Sequence, residues 1–196
     1  MAIHPICLIG ARTMTTRLLL AAAVVATLSA CASAPPMSTS TMFSQATLPD
    51  AVKVPAGHAV AMETVGVGEI TYECKAKAAM AGEYEWVFVG PKAVLNNRSG
   101  KMVGSYYGPP ATWEAADGSK ITGAQLAVAP SSAGNIPLQL VKANAAMGSG
   151  AMTGISHIQR VATRGGVAPA MPCTAANMGQ KQVVAYQADY IFYKAM

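Results

Sequence analysis

The stretch "VVAYQADYIFY", Val183–Tyr193, decides the fold class. Val184, Tyr186, Ala188, Tyr190 and Phe192 recur at every second position, with Gln187 and Asp189 between them. Strand side chains point alternately to opposite faces, so this period, carried by β-branched and aromatic residues, predicts a strand with one buried face. The same period recurs upstream. In "EITYECKA" (Glu69–Ala76), Ile70, Tyr72 and Cys74 share a face opposite Thr71, Glu73 and Lys75. In "EYEWVFVGP" (Glu83–Pro91), Tyr84, Trp86 and Phe88 fall together before the chain breaks at Gly90-Pro91. Turn signals separate the strands: "LNNRSGK", "AADGSK", "SSAGNIP" and "TRGGVAP". Gly100 in the first is placed to take a positive φ at a hairpin tip. "VKANAAMGSGAM" starts with helical composition, but Gly148 and Gly150 break it. Short strands at regular spacing predict an all-β single domain, a β-sandwich, jelly-roll-like fold or barrel.

The N-terminus has a different character. Arg17 precedes an apolar run, "LLLAAAVVATL" (Leu18–Leu28), of eleven residues. A spanning helix needs about 20 such residues. A secretory signal core needs roughly 7–15, with a basic lead and small residues at the cut. Met14 offers a compact alternative start to Met1. The junction Leu28-Ser29-Ala30-Cys31 resembles the lipobox of bacterial lipoproteins, which implies cleavage before Cys31 and acylation of its thiol. The competing reading is an ordinary signal core that happens to hold a cysteine. Ala32 after the cysteine, rather than Asp, implies by the same resemblance the outer membrane. "ASAPPMSTSTMFSQATLP" has no apolar face and reads as a tether. The expected organisation is a signal over 1–30, a lipidated tether over 31–47 and a β domain over 48–196.

Of the four cysteines, Cys7 falls in the signal and Cys31 carries lipid, leaving Cys74 and Cys173. An even remainder in an exported chain predicts a disulfide, against the alternative of two free thiols at a metal or redox site. Without Arg12 and Arg17, twelve scattered basic residues face nine acidic ones. No basic stripe forms, which argues against nucleic acid as a partner. His58 and His157 have no partner at ligand spacing, and the methionines are dispersed, so neither a metal nor another cofactor is expected.

From about Val54 to Tyr193 the chain resembles the bacterial and fungal domain of unknown function 3455 family. The matching stretches are "VPAGH", "ITYECKA", "WVFVGPKAVL", "TWEAADGSKITG", "GISHIQRVATRGGVAP" and Cys173. Two stretches depart from the family pattern. "GSYYGPPATWE" has Tyr106-Tyr107 where a His is usual, and Ile136-Pro137-Leu138 replaces Ile-Pro-Trp. The resemblance implies no activity, and the departure counts against an obligatory His mechanism.

Trp113-Glu114 with Asp117 is the most suggestive cluster. Two carboxylates beside an aromatic residue could form a glycosidase acid–base pair. Asp117-Gly118 is equally a hairpin signal, and Trp113 equally a core residue. In "GISHIQRV", strict alternation groups His157 with Ile155 and Gln159, and Ser156 with Ile158 and Arg160. No nucleophile elbow or phosphate loop appears. The favoured function is a non-catalytic envelope module, membrane-bound through Cys31, with Trp113, Tyr106 and Tyr107 meeting a glycan, protein or small ligand. The alternatives are a polymer hydrolase using Glu114 and Asp117, or an inhibitor similar in architecture to lipoprotein lysozyme inhibitors.

Overall fold

The computed structural model describes residues 43–196. The expected signal segment, Cys31 and the expected tether up to residue 42 lie outside the described residues. Eight antiparallel strands follow one another in chain order and close into a barrel: β1 (His58–Ala76), β2 (Tyr84–Asn96), β3 (Met102–Tyr107), β4 (Thr112–Ala115), β5 (Lys120–Ala129), β6 (Leu138–Ala143), β7 (Ile155–Gly165) and β8 (Lys181–Ala195). Of the three all-β architectures expected, the barrel is the one formed. The closing strand is β1. Its 19 residues pair with β2 along Val65–Ala76 and with β8 along His58–Glu73, which closes the sheet.

Alternation sends one set of side chains inward. Leu95, Tyr106, Trp113, Ile121, Ile158, Tyr190 and Phe192 belong to one buried cluster that fills the barrel. Trp113 stacks on Tyr106 with ring centroids 4.7 Å apart, and Tyr190 approaches both. Tyr186 and Tyr190 share a hydrogen bond of 3.2 Å between their hydroxyls.

The outer wall over β5–β8 carries a second core. The segment Phe43–Val54, including a short 3-10 turn at Asp50–Val52, lies across it and buries Val52 and Val54 against Leu140, Val161, Ile191 and Tyr193. Each such side chain removed from water contributes about 1.5–3 kcal/mol. Phe43 and Leu48 pack against the same cluster. Gln159, completely buried, holds the strap: its Nε2 donates to Val52 O (2.6 Å) and Gln45 Oε1 (2.9 Å), and its Oε1 accepts from Tyr193 Oη (2.7 Å).

In a chain-order meander, the connections alternate between the two ends of the barrel. At one end, the β6–β7 connection folds inward and buries Met152 in the interior cluster. At the other end lie the β3–β4 turn, the β5–β6 loop and the long β7–β8 loop. There the disulfide Cys74–Cys173 ties β1 to the β7–β8 loop, with a Cα–Cα distance of 5.5 Å. The predicted disulfide is present. By the chain-entropy account, a closed loop of this length contributes about 4–5 kcal/mol.

Candidate functional site

The interior does not fill evenly. At the disulfide end, a cavity of about 330 Å³ opens among Phe88, Pro91, Tyr106, Pro109, Ala111, Trp113, Gln125, Gln139 and Arg160. Barrel mouths are a common place for small-molecule sites. β3 and β4 supply Tyr106 and Trp113, which are paired directly across the ladder. β7 supplies Arg160 from the same inward phase as buried Ile158. Phe88 stands at the rim, 53% exposed, beyond the irregularity that shifts β2 against β1.

Two features of the lining set its chemistry. Trp113 is 1% exposed, and its Nε1–H has no hydrogen-bond partner among the described residues. A buried donor left unpaired costs about 1–3 kcal/mol, and this one is closed off from solvent. Second, the single charged residue in the lining is Arg160. Its Nε and Nη2 both donate to Pro137 O, at 3.2 and 3.0 Å, and it forms no salt bridge among the described residues. Burial pushes the Tyr106 phenol above its ordinary range, and the Arg160 charge partly offsets this. The same cation acts on Tyr72, Tyr186 and Tyr190, where burial again dominates.

The aromatic residues singled out from the sequence divide. Trp113 and Tyr106 face inward and line the cavity, whereas Tyr107 stands on the outer wall, its hydroxyl donating to Glu114 Oε2 (2.6 Å). Neither carboxylate lines the mouth cavity. Glu114 borders a shallow surface hollow to which Asp117 does not contribute. Asp117 sits in the β4–β5 turn, beside Gly118 at φ 84°. It accepts from Ser119 Oγ (2.6 Å), Ala151 N (2.7 Å) and Ser119 N (3.0 Å). These bonds hold its carboxyl below the usual range, the one from the Ser119 hydroxyl most strongly. The bond from Ala151 ties it to the loop that plugs the far end.

The histidines, without partners in sequence, meet in space. His58 and His157 lie edge to face with centroids 4.6 Å apart. A bulge between Ile155 and His157 breaks the expected alternation, so Ile155 joins the interior cluster while His157 remains apart from it. Burial, with Lys142 and His58 adding to it, keeps the His157 imidazole below its ordinary pKa. Among the described residues no group of three or more His, Cys, Asp or Glu could hold a metal ion.

A broader hollow of about 730 Å³ lies over β1–β3, lined by Val67, Glu69, Lys92, Val94, Ser105 and Tyr107 among others. It is open outer wall, without a buried unpaired polar group, and the smaller mouth cavity is the better candidate. Arg160, Gln125, Gln139 and Phe88 are site residues that sequence reasoning did not select. One signal was legible, an arginine in the same alternation phase as Ile158, which is a charge on an inward face. No curated protein and no solved structure matches the chain. The family model described as protein of unknown function (DUF3455) matches residues 55–194, and the chain belongs to that family.

Proposed function

We propose that this protein is a non-catalytic binding module of the cell envelope, tethered through lipid on Cys31, whose barrel mouth takes up a small ligand. The observation that carries the reading is the mouth cavity itself, where an arginine with no carboxylate partner among the described residues meets aromatic walls. Its size suits a small molecule better than a glycan chain or a protein loop. The anchoring half rests on the lipobox-like junction at Leu28–Cys31.

The test has two arms. In ligand-observed NMR with a fragment library, fragments should bind the wild-type domain and lose at least about 90% of their signal change in Ala111→Trp, which fills the mouth. Binding that survives the substitution would remove the cavity from the reading. In cells, full-length protein should partition with membranes and Cys31→Ser should not; equal partitioning would remove the lipid anchor. A loss of about 90% corresponds to roughly tenfold in affinity, or about 1.4 kcal/mol.

A further inference from the structure

We infer that the mouth of the barrel is a receptor for a small planar acid, a one- or two-ring compound bearing a carboxylate. The inference rests on the binding reading above and specifies its ligand. The lining contains no Asp or Glu, so its net charge is that of Arg160 alone. A guanidinium carries five N–H donors in a planar fork suited to a carboxylate. Pro137 O engages only Nε and Nη2, and Nη1 has no partner among the described residues.

Further unspent donors surround the same space. Gln139 Nε2 donates to Gln125 Oε1 at 2.7 Å, and Gln125 Nε2 has no partner among the described residues. An amine or other cation would face the Arg160 charge with no carboxylate in the lining to offset it. A neutral hydrocarbon would leave the donors unmet and would desolvate Arg160 without compensation. A carboxylate offers the acceptors these groups lack.

The walls specify the rest of the ligand. Phe88, Tyr106, Trp113, Pro91 and Pro109 present flat apolar faces. A cavity of about 330 Å³ lies at the small end of ligand sites. Two fused rings fit that space, whereas a long acyl chain or an oligosaccharide does not.

Isothermal titration with 2-naphthoate and its neutral isostere 2-naphthamide tests this on the disulfide-bonded domain. Wild type should bind the acid about tenfold more tightly than the amide, as expected for one charged hydrogen-bonded pair. Arg160→Gln should bring the two within about twofold, and Arg160→Lys should keep part of the preference. Unchanged circular dichroism in both variants assures that the fold persists. If naphthoate and naphthamide bind wild type equally, the acid-receptor inference falls and the binding reading stands. The inference falls in the same way if the preference survives Arg160→Gln. If neither compound binds and neither moves the Trp113 indole N–H resonance, the inference falls; the fragment experiment with Ala111→Trp then decides the binding reading separately.

Discussion

Tyr190 is fully buried, and its ring edge passes directly over Gly66 of β1. A Cβ built at Gly66 would sit 2.6 Å from Tyr190 Cε2 and 2.9 Å from Cδ2. Tyr106 and Trp113 crowd the ring from other sides, at 5.0 and 6.0 Å between centroids, so it has little room to yield. Gly66→Ala should therefore cost about 1–3 kcal/mol in a urea melt, the usual penalty for overpacking. A melt indistinguishable from wild type would show that the ring relocates freely. The tyrosine face was readable from the alternation in Val183–Tyr193. The need for a glycine opposite it was not, because Gly66 and Tyr190 meet only once β1 and β8 are in register. Asp117 makes the converse case. Its turn was legible in Asp117-Gly118, but its bond to Ala151, 34 residues away, was not.

Among the elements, the strap Phe43–Val54 and β7 depend on each other most directly. Gln159 would read as a polar surface position in isolation, yet it is buried with three partners from the strap and β8. Gln159→Leu keeps the bulk but strands Tyr193 Oη and Val52 O, while Gln45 Oε1 keeps the bond from Val54 N. Each stranded group costs about 1–3 kcal/mol before relaxation. The expected outcome is a global loss of about 2–4 kcal/mol, with faster amide exchange concentrated at Phe43–Val54. Exchange that quickens elsewhere while the strap stays protected would contradict this role. The strap itself was hidden in the sequence because Phe43 and Leu48 are isolated apolar residues among Ser, Thr and Ala. They find an apolar surface only on the outer wall of a closed barrel. The bulge in β7 is equally a matter of pairing, and it alone breaks the alternation that would have placed Ile155 with His157.

For the molecule as a whole, the buried tyrosines make alkaline pH the revealing variable. Burial raises Tyr72, Tyr106, Tyr186 and Tyr190, and pushes Tyr193 up to about 12. The folded state thus favours the neutral phenol, while the unfolded chain ionises near pH 10. The resulting stabilisation is complete below that pH and is lost as pH rises toward the folded values. The thermal midpoint should stay level from about pH 7 to 9 and fall steadily from about 10 to 12. Phenolate absorbance should lag behind that of unfolded chain over the same range. Five phenols that ionise near pH 10 while circular dichroism remains native would overturn the account.

Order along the chain determined the strands, their turns, the cysteine pair and the all-β class, because period, turn chemistry and parity are local properties that survive without a partner. Tertiary structure decided that the sheet closes, that the segment before β1 wraps its outer wall, and that Trp113 and Tyr106 turn inward while Tyr107 turns out. It also decided that Arg160 stands among aromatic rings with no carboxylate to meet it among the described residues. The physical reason is that a hydrogen-bonding capacity belongs to a residue, whereas its satisfaction belongs to the register and closure of eight strands at once.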